Sequence, residues 1–255
     1  MLEFKTPQIE DKAWVDQCFK HLKTMNCDYT FGNMFVWNTE YSTKICRFKD
    51  FFICSWGMGK ETNFGIPVGK GDFKEAVEEV IKYAKSNDIM PRFYGVTEAY
   101  VEMLNENFPD AFQFLYDESY GDYIYEVEKM ASLKGKKYHG KRNHITNFKK
   151  NNPNWSFETI NKDNIDDCIN LHAKWINTHV DDSDISFEFE AVLKAFENYD
   201  KLGFVGGIIR IDGEAVAYTF GEPISDETFV LILKKPRRIF RVPIQLLIRS
   251  LLKIV

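Results

Sequence analysis

Phe204 to Pro223 reads FVGGIIRIDGEAVAYTFGEP. Two apolar runs flank Asp212-Gly213, a pair suited to the tight hairpin turn whose central residues need positive φ. The stretch is the clearest hairpin in the chain. On its N-terminal side, Asp163 to Thr178 has Ile165, Ile169, Leu171, Trp175 and Ile176 at helical spacing, and Phe187 to Tyr199 is a second helix. On its C-terminal side, Ser225-Asp226 turns into one more strand, Thr228 to Leu231. Upstream, Trp155 to Ile160 is a strand. Before it, Ser132 caps a helix that Asn152-Pro153 must end, because the residue before proline is pushed out of the helical region. Tyr138, Ile145 and Phe148 share one face of that helix, while Lys141, Arg142 and Lys149 point elsewhere.

The first half follows a similar order. Asp16 to Lys23 is a short helix, and Ser42 to Trp56 a hairpin turning at Lys49-Asp50. Phe64 to Val68 is a strand, and Asp72 caps the helix that begins at Phe73. Phe93 to Val96 is a strand, Glu98 to Asn105 a helix, and Phe112 to Tyr116 and Asp122 to Val127 two further strands. The fold class is α+β: mixed sheets with flanking helices in two related domains.

Composition excludes several classes. Of 255 residues 44% are hydrophobic and 15% aromatic, too many for a disordered chain. No stretch approaches the roughly 18 apolar residues of a spanning helix. The opening MLEFKTPQIEDKAW lacks the basic start and apolar run of a signal peptide. Five cysteines without CxxC spacing fit a reducing compartment. The expectation is a cytoplasmic globular protein.

The formal net charge of −5 hides segregation. Lys134 to Lys150 carries six lysines, one arginine and no acid, and Leu231 to Val255 again carries seven basic residues and no acid. The remainder therefore bears −19. A charge run is ordinarily a solvated face. In KGKKYHGKRNHITNFKK (134–150), however, histidines, an aromatic and amides interleave with the cations. Lysine and arginine supply phosphate contacts, Tyr138, His139 and His144 can stack or hydrogen-bond, and Asn143 can pair with a peptide, sugar or base edge. The phosphate could belong to RNA, a lipid head group or a nucleotide.

Other motifs fail. Pro67 to Asp72 places glycines before a helix, yet it is neither a Walker loop nor a full dinucleotide fingerprint, and Asp72 suits capping better than anion binding. His139 and His144, like His172 and His179, lack metal-ligand spacing, so no metal is expected, and His172 reads as a surface or partly buried histidine. No GxSxG or low-pKa cysteine setting is present.

KKYHGKRNHITNFKKNNP (136–153), with CDYTFGNMFVW (27–37) and GEAVAYTFGE (213–222), resembles bacterial proteins related to the C-terminal domain of phosphatidylglycerol lysyltransferase. The resemblance covers most of the chain to about Leu231, and KRNHI-x-x-F-K-K is its most specific element. It implies tandem acyltransferase (GNAT-like) domains at 1–130 and 131–231. It also implies an aminoacyltransferase-like activity, moving an aminoacyl group from charged tRNA to a lipid or peptidoglycan-type acceptor, with no bound cofactor. Substrate binding would fall to Lys137, Tyr138, His139, Lys141, Arg142, Asn143 and His144, with Tyr218 and Glu222, at the end of the second hairpin strand, as further candidates for the pocket. No general base is identifiable. An acyl-CoA-dependent N-acyltransferase is the alternative, although the second half lacks the expected Q/R-x-x-G-x-G/A loop. A non-catalytic protein binding RNA or another anionic ligand is the third reading.

After Leu231 the chain reads ILKKPRRIFRVPIQLLIRSLLKIV, which departs from the family. Back-translated and read one base out of register, it yields the family-like HIEKAEKNIQGSYTIINQEFVKNC. Residues 232–255 are therefore expected to be an out-of-frame tail, unable to supply the last strand and helix, which leaves the second domain incomplete.

Overall fold

The computed structural model describes residues 2–118, 121–177, 184–236 and 244–252. Its elements run α1 (Lys12–Phe19), α2 (Phe31–Val36), α3 (Asn38–Tyr41), β1 (Lys44–Phe48), β2 (Phe51–Trp56), β3 (Asn63–Gly65), β4 (Val68–Gly69), α4 (Phe73–Ser86), β5 (Phe93–Tyr94) and α5 (Glu98–Asn107). They continue α6 (Val127–Ser132), α7 (His139–Asn151), β6 (Trp155–Thr159), α8 (Ile165–Ile176), α9 (Asp184–Glu197), α10 (Tyr199–Leu202), β7 (Val205–Ile211), β8 (Glu214–Pro223), β9 (Phe229–Pro236) and α11 (Ile244–Leu251). The fold is a mixture of helices and two sheets, as the α+β expectation required. Contacts divide it into two units, 1–122 with 224–228, and 123–223 with 229–255. The division falls at 122/123, and α6, with Met130 buried, packs against α11 of the second unit.

The first unit holds a sheet ordered β1-β2-β3-β5, with β4 also on β2. All pairs are antiparallel except β3–β5. Lys49 makes the β1–β2 turn with φ 52°. Ile53 and Phe64 pack against Val80 and Ala84, the apolar stripe of α4. Asp72 caps that helix, accepting the Glu75 N–H at 3.0 Å. A Cβ at Gly69 would lie 2.1 Å from the Asp50 carbonyl oxygen, so this glycine serves close strand approach rather than a phosphate loop. The strand expected over 64–68 is split, with Ile66-Pro67 between β3 and β4.

The strands expected at 112–116 and 122–127 are absent, and Leu115, Tyr116 and Tyr123 are exposed. Alternating aromatics favour a strand only where a neighbouring edge and a covered face exist. The helix expected from Ser132 to Asn152 is broken as well. Leu133 and Gly135 adopt positive φ (51° and 98°), ending α6 and delaying α7 to His139.

The second unit is an antiparallel sheet ordered β6-β7-β8-β9. Asp212 and Gly213 both take positive φ (51° and 85°), forming the expected hairpin turn. One face meets α7 and α11, with Ile145, Phe148, Leu246 and Leu247 against Ile209, Ile211, Val216 and Ala217. The other meets α8 and α9, where Tyr218 and Phe220 contact Phe196, and Tyr218 contacts His172.

The tail expected to fall outside the fold is part of it. Residues 233–236 pair with Phe220 to Ala217 of β8, and the Thr219 hydroxyl donates to the Leu233 carbonyl at 2.7 Å. Leu246, Leu247 and Leu251 of α11 are buried. The physical reason is that Leu246, Leu247, Ser250 and Leu251 share one helical face, and pairing in β9 is a main-chain property that tolerates the two lysines. Pro243, and Thr178 and His179 at the expected end of α8, lie outside the described residues. Leu247→Ala should cost about 2–5 kcal/mol in urea unfolding, since it opens a cavity in the second core. A change below about 0.5 kcal/mol, the size expected at a surface position, would mean α11 is not packed there.

Candidate functional site

The turn Lys136–Tyr138 and helix α7 carry most of the residues singled out in the sequence. Ile145 and Phe148, three apart, anchor the helix to the sheet, and half-buried Tyr138 packs beside them. The opposite face therefore turns outward. Lys137, His139, Asn143 and His144 are exposed, and Lys141 and Arg142 half-buried. Lys137 stands 4.9 Å from the Tyr138 ring centroid, and the Asn143 amide is 3.0 Å from His139 Nε2, one helical turn back. Arg142 is committed elsewhere. Its Nη1 donates to the carbonyls of Leu133 and, at 2.9 Å, Gly135, which holds the break before the helix.

The charge order at this helix start is the reverse of the usual one. No side chain caps α7 and no acid lies in its first turn, whereas Lys136, Lys137, Lys141 and Arg142 cluster there. A helix N-terminus is positive, so cations nearby are unfavourable by about 0.3–1 kcal/mol each. The Tyr138 and His139 N–H groups are taken by the Gly135 and Lys136 carbonyls, so it is the cations that suit this surface to an anion.

Tyr218 and Glu222 do not belong to this surface. Both are buried on β8, and Tyr218 faces α8 and α9, on the side of the sheet away from α7. The Tyr218 hydroxyl lies 2.8 Å from Nδ1 of His172, which is fully buried rather than near the surface. His172 Nε2 faces Glu188 Oε1 at 3.8 Å, and Phe189 stacks on the imidazole. Burial pushes the Tyr218 hydroxyl well above its ordinary pKa, so it stays protonated, and the tautomer of His172 sets which of the two donates across this bond.

Sequence reading missed this cluster. The signal for His172 was its position four after Cys168, on the apolar stripe of α8. Nothing in the pattern pointed to Glu188.

Covalent chemistry through sulfur has no support. Burial raises the pKa of Cys18, Cys27, Cys46, Cys54 (to about 12) and Cys168, which disfavours thiolate. Among the described residues no group of three or more histidine, cysteine or acidic side chains could hold a metal. Among them, too, no helix is long and apolar enough to cross a membrane.

A two-sheet fold with a cationic helix start defines the class, and comparison with known families gives the particular one. Residues 19–254 match the family described as phosphatidylglycerol lysyltransferase, C-terminal, and the chain belongs to it. The match runs past Leu231, where the resemblance was expected to end. No curated protein matches the sequence. Among solved structures, a conserved protein of unknown function from Bacteroides thetaiotaomicron VPI-5482 is 30% identical, with a TM-score of 0.91 over 100% of this chain and 87% of that one. A C-terminal domain described as that of a putative lysylphosphatidylglycerol synthetase from Agrobacterium fabrum aligns with a TM-score of 0.58 over 95% of this chain and 74% of that one. At 13% identity that likeness shows the fold alone.

Tyr218→Phe should destabilise the chain by about 1–3 kcal/mol, because it leaves the buried His172 Nδ1 without its hydrogen-bond partner. Denaturant unfolding measures this, and an unchanged midpoint would show the bond to be unimportant.

Proposed function

We propose that this protein is an aminoacyltransferase that takes its aminoacyl group from charged tRNA and passes it to a lipid acceptor. The two units are read as tandem GNAT-like acyltransferase domains, with one sheet and its flanking helices in each. Membership in the lysyltransferase family supports aminoacyl transfer to lipid. The observation that carries the donor is the cation cluster around the uncapped start of α7. Such a surface disfavours its own helix in isolation and is relieved by a polyanion.

In this reading Lys137 and Lys141 contact RNA phosphates, while His139, Asn143 and His144 meet the sugar or base edges. Tyr138 and Arg142 shape the turn. The acceptor's hydroxyl oxygen attacks the ester carbonyl of the aminoacyl-tRNA, a new ester bond forms as the old C–O bond breaks, and the proton lost by the acceptor leaves on the tRNA hydroxyl. One observation favours a second reading, a binding protein without transfer. The buried Tyr218–His172–Glu188 cluster lies across the sheet from the cations, so it offers them no base.

Radiolabelled lysyl-tRNA incubated with phosphatidylglycerol vesicles should give labelled lipid. Protection of the tRNA without transfer would establish the second reading, and acyl-CoA consumption indifferent to tRNA would replace both. In binding assays, the double variant Lys137→Ala, Lys141→Ala should weaken tRNA affinity. It should also reduce the slope of log affinity against log salt by about 2, one for each phosphate no longer neutralised. Identical slopes for both proteins would refute the assignment.

A further inference from the structure

The first unit contains a cleft unrelated to the cationic helix. On the α4 side of its sheet, Ile53 and its cross-strand partner Cys46 are buried in the core. Two residues further along β2, Ser55 and its partner Lys44 continue the same face with polar groups. Tyr83 and Asn87 at the end of α4, with Ile89 and Phe4, complete the walls, and the turn from Gly57 to Thr62 forms the rim. The cavity measures about 310 Å³, at the small end of ligand sites.

Lys44 is the sole charged residue among the described lining. Among the described residues its ammonium joins no ion pair, and the hydroxyls of Ser55 and Tyr83 join no hydrogen bond. Ser55 is 5% exposed, so its hydroxyl has little access to solvent except through the cleft. Neither the Ser55 nor the Tyr83 hydroxyl is among the enclosed unpartnered atoms of the described residues, so both are reachable by a ligand. The rim is built for close approach: Gly57 and Gly59 hold φ of 82° and 57°, and a Cβ at Gly57 would sit 2.6 Å from the Glu61 carbonyl oxygen. Lys60 on this turn pairs with Asp88 just past α4, tying the rim to the far wall.

We propose that this cleft binds a small monocarboxylate with an apolar body. The carboxylate is held by the Lys44 ammonium with the Ser55 and Tyr83 hydroxyls, and the body lies against Phe4, Met58 and Ile89. One cation balances one negative charge, and inorganic phosphate, which carries more charge at neutral pH, would remain under-compensated in a half-enclosed site. The site is independent of the aminoacyl-transfer reading.

The test is calorimetric titration of the intact chain with benzoate and with hexanoate, using benzamide and inorganic phosphate as comparators. Saturable binding of a carboxylate is expected, roughly 10- to 100-fold weaker in Lys44→Met, the range for a lost charge-assisted hydrogen bond. Ser55→Ala should weaken it less. Circular dichroism verifies that both variants remain folded, and exposed Lys44 is not a core residue. The proposal is overturned by any of three results: no saturable carboxylate binding up to about 10 mM, below the roughly −4 kcal/mol of a millimolar ligand; equal affinity in Lys44→Met; or benzamide or phosphate binding as tightly as benzoate.

Discussion

Strand β8 is hydrogen-bonded along both edges, to β7 and β9, and most of its length is buried. A strand in that position must be apolar toward both sides of its sheet. Its successive residues are therefore divided between two helical layers: Val216 and Ala217 toward α7 and α11, Tyr218 and Phe220 toward α8 and α9. The glycines of the hairpin follow from the same crowding. A Cβ at Gly206 would come 2.5 Å from the Thr219 carbonyl, and one at Gly221 would come 1.9 Å from that of Val230. The arrangement also explains why the last strand matters, since without it one edge of β8 would be an open row of unpaired amides.

This layering determines what chemistry can meet. Cations at the start of α7 project from one side of the sheet, while the Tyr218 hydroxyl and His172 are enclosed on the other. A group buried against Phe189 and Phe196 is protected from water, and its hydrogen bonds are correspondingly strong. The cationic surface works in the opposite regime, in high dielectric and under salt screening, where several weak contacts to a polyanion act together.

Local signals in the sequence were sufficient wherever the chain decides its own conformation. Asp212-Gly213, Lys49-Asp50 and Asp72 specify turns and a cap through φ preference and a side-chain oxygen, and each appears in place. The sidedness of α7 was also legible, because Ile145 and Phe148 are its buried apolar positions. What could not be read depends on partners distant along the chain. The segments 112–116 and 122–127 look like strands until the exposure of Leu115, Tyr116 and Tyr123 shows that no layer covers them. Arg142 looks like a phosphate ligand until the Leu133 and Gly135 carbonyls are seen beside it. Tyr218 is a pocket candidate by resemblance alone, and sequence does not reveal which side of a sheet a residue takes when a bulge shifts register, as it does between Ile209 and Arg210.

The inverted charge at the start of α7 has an evolutionary reading. Replacing Lys136 or Lys137 with an acid would mend the helix dipole and raise thermal stability, yet lysines stand there. Natural chains leave many stabilising substitutions untaken, and here the charge retained is the one the proposed polyanion contact uses. Helices α1, α2, α5 and α8 also start without a side-chain cap, so what sets α7 apart is its charge, with cations where the first turns of α4, α5, α6 and α8 carry acid.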